Sequence, residues 1–166
     1  MMPTPIELYR GQKYWNDKMD ICAPTLRRSL GGQNPIVWTD TLLTMIDGLI
    51  QATKAGSAAA RQQLEAQLLY SQQSAFQNPF VSCSYRWAIA QSFAIFGDTP
   101  GYVLKITGDA NAGVDIKDLR SRYSLYGDAV DYLDEFGIPR RLAHPFVVSQ
   151  VDLVGPFGQR SAKVFP

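Results

Sequence analysis

The chain has 166 residues, of which 46% are hydrophobic and 19% are charged, so it can form one domain with a substantial core. Sixteen basic and fifteen acidic residues leave a net charge of +1, which excludes a global field that steers the protein to nucleic acid or anionic membrane. Its apolar runs fall short of the roughly 20 residues that cross a bilayer, and residues 1–7 show no signal-peptide pattern. We therefore expect a single soluble domain over residues 1–166, with no membrane partner and no signal peptide.

The cysteine and histidine content excludes several common kinds of site. Cys22 and Cys83 form neither a disulfide framework nor a CxxC metal pair. One bridge between them is an alternative to the two free thiols that we expect. His144 is the only histidine, and we interpret it as structural, so no Ser–His or Cys–His pair is indicated. No group of residues has metal-ligand spacing, and we predict no metal site.

The first half of the chain predicts one strand followed by helices. Residues 6–9 alternate apolar and polar side chains, which predicts an opening strand. Glycines and prolines then favour loops, with a short helix near residues 25–30. Apolar residues at three- and four-residue spacing predict a helix from Asp40 to Gly56. A second helix is predicted over residues 58–70, with Ser57 as its cap.

The second half of the chain predicts mainly strands. Residues 80–84 read as a strand, residues 86–96 as a helix and residues 102–106 as another strand. Further strands are predicted near residues 129–133 and 146–154. Strands that follow a helical first half, without regular β-α-β alternation, indicate an α+β fold with mainly antiparallel pairing.

Two groups of polar residues at predicted strand ends are candidates for a site. Arg10 precedes Gly11, where the backbone can turn sharply while a planar, permanently charged guanidinium projects into a cleft. Ser82 and Ser84 are two residues apart, so both hydroxyls face one side of a strand while Cys83 faces the other. Taken singly, these residues also suit an exposed arginine and a polar strand end in which Ser84 only caps the next helix.

Taken in order, the segments resemble the mono-ADP-ribosyltransferase toxins of the pertussis-like and cholera-like type. In that family an aromatic-Arg strand, a Ser-x-Ser strand, a Gly-Tyr-aliphatic strand and an acid ahead of Ile-Pro follow one another. The matching segments here are Tyr9-Arg10, Phe80–Ser84, residues 101–106, and Asp131 followed by Ile138-Pro139. The resemblance implies an α+β fold with a split antiparallel β-sandwich, an N-terminal helical part and an NAD cleft between the sheets.

The resemblance also implies roles for individual residues. The implied NAD-binding residues are Tyr9, Arg10, Gly11, Ser82, Ser84 and Phe93. Arg10 would bind the phosphates or a ribose, and Ser82 would order the site. Phe93, with Tyr85 and Trp87 as alternatives, would stack on the nicotinamide ring.

The catalytic acid is where the chain departs from the family motif. The motif calls for glutamate, but the positional match is Asp131, which is one methylene shorter, and a displacement of about 1 Å can cost on the order of a hundredfold in rate. Glu135 is long enough, but it lies only three residues before Ile138, closer than the family spacing. We take Asp131 as the acid that stabilises an oxocarbenium-like transition state and keep Glu135 as its rival.

The implied activity is transfer of ADP-ribose from NAD to a macromolecule, either protein or nucleic acid, with release of nicotinamide. Bacterial or phage-borne toxins and effectors carry out such reactions in the cytoplasm of the affected cell, and an immunity or antitoxin protein is a further expected partner. One alternative is a catalytically degenerate module that keeps the fold for binding, which the missing glutamate favours. Another is an unrelated α+β domain whose motif matches arise by chance.

Overall fold

The computed structural model describes residues 2–27, 32, 34–95, 99–125 and 133–155, and the backbone of residues 160–164. Its helices are α1 (Pro24–Arg27), α2 (Pro35–Lys54), α3 (Ala58–Gln73), α4 (Trp87–Ala94) and α5 (Ile116–Tyr123). Its strands are β1 (Pro5–Gln12), β2 (Phe80–Ser84), β3 (Gly101–Asp109), β4 (Glu135–Pro139), β5 (Val147–Val154) and β6 (Arg160–Val164). The predicted α+β class with antiparallel pairing is confirmed.

Within the described residues the strands form one antiparallel sheet in the order β4-β2-β1-β3-β5-β6. β1 pairs with β3 along its whole length, from Pro5 opposite Asp109 to Gln12 opposite Tyr102. By contrast, β1 joins β2 through a single residue pair, Tyr9 opposite Ser84. The sheet therefore consists of a two-stranded part (β4-β2) and a four-stranded part (β1-β3-β5-β6) that meet at one pair and separate beyond it. We call this separation the fork.

The helix pair that precedes β2 begins earlier than the sequence pattern predicted. α2 starts at Pro35 instead of Asp40, because the side chain of Asn34 accepts hydrogen bonds from the backbone N–H groups of Ile36 and Val37. Ser57 caps α3 as predicted, accepting from the N–H of Ala60 at 3.1 Å. The short helix predicted over residues 25–30 is α1, and residues 28–30 lie outside the described residues.

Several predicted strand and helix ends are wrong by a few residues. Arg10 lies inside β1 and does not follow it, since β1 continues its pairing with β3 as far as Gln12. Ser84 does not cap α4: the cap position is held by Arg86, which makes no side-chain capping bond. Residues 129–132 of the predicted strand lie outside the described residues, and Leu133 precedes the strand observed there, which starts at Glu135.

Three core clusters of buried side chains hold these layers together. One face of the sheet packs a cluster around Leu8, Leu104 and Phe136. On the other face Phe80 of β2 packs against α2, α3 and α5, with Leu64 among the fully buried contacts. α4 packs on β1 and β3 in the third cluster. α3 and α4 thus lie on the same face of the sheet, one over β2 and the other over β1 and β3.

Candidate functional site

A cavity of about 270 Å³ lies on this face of the sheet, between the end of α3 and the side of α4. Its lining combines residues of the sheet with residues of both helices: Tyr9, Arg10, Gly11, Gln72, Ser82, Cys83, Ser84, Ile89, Ala90, Phe93, Leu133 and Glu135. This set contains every predicted site residue that the structure describes, apart from Tyr85 and Trp87, the alternatives to Phe93, which do not line the cavity. Asp131, the acid preferred from the family spacing, lies outside the described residues.

The register of three strands explains why the polar side chains other than Arg10 meet; Arg10 lies opposite Leu104 of the other core cluster and lines the cavity at the fork. Directly opposed residues of antiparallel strands share a face, and so do residues two apart on one strand. Tyr9 lies opposite Ser84, and Ser84 lies opposite Glu135. Tyr9, Ser82, Ser84 and Glu135 therefore occupy the same face. Cys83 alternates to the other face, where it is buried in the core cluster.

Arg10 lies at the fork between β1 and β2. Its Nη1 atom donates a hydrogen bond of 2.8 Å to the carbonyl of Ser82, and its Nε atom donates one of 3.0 Å to Oε1 of Gln12. The guanidinium thus spans strands whose backbones have stopped pairing. Its Nη2 group makes no hydrogen bond with the part of the chain that the structure describes. Burial lowers the pKa of Arg10 from its ordinary value, although an arginine remains charged at physiological pH.

Glu135 is the acidic side chain of the cavity lining, and it is only 6% exposed. Its Oε1 atom accepts a hydrogen bond from Nε2 of Gln72. Burial raises the pKa of its carboxyl above the ordinary glutamate value, and hydrogen bonding from Ser82 and Gln72 and the charge of Arg120 oppose that rise. A buried carboxyl with a raised pKa in a cavity is typical of functional sites.

The chain immediately before Glu135 is held on both sides. The hydroxyl of Ser84 donates to the carbonyl of Leu133 at 2.7 Å, and the N–H of Tyr85 donates to the carbonyl of Asp134 at 3.0 Å. Asp134 adopts a φ of 45°, in the left-handed region that is uncommon for residues other than glycine. Its carboxylate lies 3.6 Å from Nζ of Lys117 and 3.9 Å from Nε of Arg86. These contacts fix the turn from which Glu135 enters the cavity.

The other residues in and near the lining decide which further groups the cavity offers to a ligand. Phe93 is 58% exposed although it is aromatic, so its ring is accessible at the mouth of the cavity. Cys83 is buried, and this raises the pKa of its thiol to about 12, which makes it a poor nucleophile. Both cysteines are free thiols, as expected. The described residues contain no cluster of three or more His, Cys, Asp or Glu side chains placed to hold a metal ion.

Gln72 and Ile89 are lining residues that the sequence interpretation missed. Gln72 follows Leu64 and Leu68 at four-residue spacing, so it continues the buried stripe of α3 toward the sheet. A polar residue at the next position of an apolar stripe was a signal that could have identified it. Ile89 gave no such signal, because its place in the wall depends on how α4 packs against β1.

No family model, curated protein or solved structure matches this chain. The comparisons thus add no support to the resemblance to the ADP-ribosyltransferase toxins. Among the described residues, no helix combines the length and the apolar character needed to span a membrane.

Proposed function

We propose that the protein is a mono-ADP-ribosyltransferase that cleaves NAD in the cavity and transfers ADP-ribose to a macromolecular acceptor. The observation that carries the proposal is the meeting of Arg10, Ser82 and Glu135 around one cavity, although they come from three strands and are far apart in the sequence. An arginine, a hydroxyl and a carboxylate are the three groups that the family motif brings together. Their convergence is also what the chemistry of NAD cleavage needs.

The reaction would break the bond between the nicotinamide nitrogen and C1′ of its ribose. Both bonding electrons go to the nicotinamide ring, whose positive charge is neutralised, and positive charge develops on the ribose. A fixed carboxylate next to that ribose stabilises the developing charge, and its placement before the reaction avoids reorganisation. The acceptor then bonds to C1′ and loses its proton.

Glu135 is the acid in this proposal. It lies opposite Ser84 in the β2–β4 pair and receives a hydrogen bond from Gln72, so its position in the cavity is fixed by both strand register and a helix side chain. Sequence spacing had favoured Asp131 because the family places its acid further ahead of Ile138. The β2–β4 register supports Glu135, because it places this residue opposite Ser84, on the face of the sheet that Ser82 also occupies.

The other lining residues take complementary roles. The guanidinium of Arg10 would bind a phosphate or ribose oxygen of NAD through Nη2, which makes no hydrogen bond with the described residues, since a guanidinium suits planar, charge-assisted hydrogen bonds. The accessible ring of Phe93 would stack on nicotinamide. A cavity of about 270 Å³ would hold the nicotinamide-ribose end, with the adenosine end over the open mouth.

The decisive experiment compares Glu135→Gln with Asp131→Asn. We expect Glu135→Gln to lower NAD cleavage by about a hundredfold to a thousandfold, the cost of removing one transition-state electrostatic contact, while NAD still binds. Asp131→Asn should retain most of the activity. Nicotinamide release measures cleavage, calorimetric titration measures binding, and mass spectrometry of cells that produce the protein identifies ADP-ribosylated material.

The outcomes separate the competing functions. The opposite pattern in the two variants would return the role of the acid to Asp131. NAD binding without turnover in the wild-type protein would identify a binding module. No NAD binding at all would overturn the proposal.

A further inference from the structure

Gln72 is a polar side chain that the helical layer places inside the cavity. α3 packs Leu64 and Leu68 into the core, and Gln72 follows on the same stripe one turn later. The end of the helix is held because the hydroxyl of Ser71 donates to the carbonyls of Gln67 at 3.0 Å and Gln77 at 2.8 Å. The amide of Gln72 is therefore presented by a packed helix end and not by a flexible loop.

The contact between Gln72 and Glu135 joins residues that are 63 positions apart in the chain. Nε2 of Gln72 donates to Oε1 of Glu135, and both residues line the cavity. A neutral amide donor stabilises the ionised carboxylate, since charge-assisted hydrogen bonds are stronger than neutral ones. It also limits the motion of the carboxylate, because the donor and the acceptor are both held by packed elements.

The other polar and charged groups around Glu135 come from three different elements. They are Ser82 and Cys83 of β2, Arg120 of α5, and Arg10 of β1 on the wall of the same cavity. Of these, Ser82 and Arg120 favour the ionised carboxylate together with Gln72, whereas burial opposes it. Gln72 adds a donor from α3, and Arg120 is the other group that comes from a helix.

We propose that Gln72 is a positioning residue whose amide donor holds the carboxyl group of Glu135 in place in the cavity during NAD cleavage. This inference depends on the proposed role of Glu135 as the acid. The α2–α3 helix pair then has a function beyond packing, because it holds the Gln72 amide that donates to the carboxyl group of Glu135. It also predicts that a substitution at Gln72 changes the pKa and the orientation of the Glu135 carboxyl, although Gln72 need not contact NAD.

The test follows the carboxyl of Glu135 directly by NMR. The chain has three glutamates, Glu7, Glu65 and Glu135, so selective carboxyl labelling gives three resonances, and Glu135→Gln assigns the relevant one. We expect Gln72→Leu to move the titration midpoint of Glu135 to higher pH, because the donor to the ionised form is lost. Gln72→Glu, which keeps the size of the side chain and adds a like charge, should move it further.

Gln73→Leu is the matched control, since Gln73 is the exposed neighbour on the same helical turn. It should leave the Glu135 titration unchanged. Circular dichroism checks that each variant is folded. In NAD cleavage we expect Gln72→Leu to lower kcat at neutral pH by about tenfold to a hundredfold, the range for one hydrogen bond to a charged group, with little change in KM. The acid limb of the pH–rate profile should move together with the NMR midpoint.

Two results would overturn the inference. An unchanged Glu135 midpoint in both Gln72 variants would show that the contact does not control the carboxylate. If the titration midpoint of Glu135 shifts while kcat and the acid limb of the pH–rate profile stay unchanged, Gln72 plays no part in the reaction. Failure of the proposed function is a separate result: wild-type protein that does not cleave NAD would reject the role of Glu135, while the titration would still measure the contact itself.

Discussion

Glu135 lies at a position that favours its neutral carboxyl form. Burial raises its pKa, and hydrogen bonds from Ser82 and Gln72 and the charge of Arg120 only reduce that rise. A folded state that holds a proton more tightly than the unfolded chain loses stability as the pH rises through the interval between the unfolded and folded pKa values. Ionisation of the Glu135 carboxyl therefore destabilises the fold, and the loss grows as the pH rises.

The expected consequence is a stability difference that appears only at higher pH. Glu135→Gln should be more stable than wild type at pH 8, and the difference should vanish below about pH 4, under the unfolded glutamate pKa of about 4.3. Urea unfolding at both pH values measures it. Glu65→Gln, outside the cavity lining, controls for the loss of one acidic residue. If Glu135→Gln were less stable than wild type at pH 8, this expectation would be wrong: the groups around Glu135 would then stabilise the carboxylate by more than burial destabilises it.

The sequence could predict the cavity residues that lie in short strand motifs. Tyr9, Arg10 and Gly11 are consecutive, and alternation alone separates the two serines of β2 from Cys83. It could not show that Glu135 lines the cavity, because that depends on which residue of β4 lies opposite Ser84. Spacing along the chain contains no information on that register.

The packing of α4 on the sheet depends on two glycines in neighbouring strands. A Cβ atom on Gly11 would lie 1.8 Å from the carbonyl oxygen of Ala90, and one on Gly101 would lie 1.8 Å from that of Ala94. The obstructing atoms are helix backbone and cannot rotate away. The two glycines therefore set how close α4 comes to β1 and β3, and so the position of the cavity wall that Phe93 occupies.

Alanine at these glycines should displace α4. We expect Gly101→Ala to lower the free energy of unfolding by about 1–3 kcal/mol or more, the cost of overpacking. Gly11→Ala should do the same and also distort the cavity. Gly48→Ala is the control: Gly48 lies inside α2 with no atom within 4 Å of its Cβ position, so alanine should stabilise the protein by about 0.5–1 kcal/mol. Chemical unfolding of the three variants measures these changes, and an unaffected Gly101→Ala would contradict the packing.

Elements with a clear apolar pattern were predictable even where they are short, as β2 shows, whereas α5 and β4 were not predicted. α3 has regular apolar spacing and a serine cap, and its start was predicted correctly. α5 was missed because it is mostly polar, with Ile116 and Leu119 as its buried apolar residues. β4 was missed because only Phe136 and Ile138 alternate within its five residues. Its strand conformation comes from pairing with β2, which is a tertiary effect.

At the scale of the molecule, the fork in the sheet provides the space for the site. Full pairing of β1 with β2 would close the gap that Arg10 spans, whereas a single pair leaves an opening between the two parts of the sheet. The α+β class followed from the order of elements along the chain. The fork did not, because no local pattern tells how far two strands continue to pair.

The cavity draws its walls from β1, α3, β2, α4 and β4, so a ligand in it should stabilise these elements together. We expect one cooperative thermal transition, raised by NAD. At NAD concentrations a hundredfold above Kd, binding to the native state contributes about 2.7 kcal/mol, or a shift of roughly 5–10 °C for a chain of this size.

Arg10→Ala should weaken binding by about 1.5–3 kcal/mol, the value of a charge-assisted hydrogen bond, and so remove most of the shift. Arg122→Ala, which changes an exposed arginine of α5 paired with Asp118, should keep it. Differential scanning calorimetry with and without NAD measures both variants, with each compared with its own unliganded transition because Arg10 also spans the fork. Two separate transitions, of which NAD moves only one, would contradict this coupling and divide the chain into independent units.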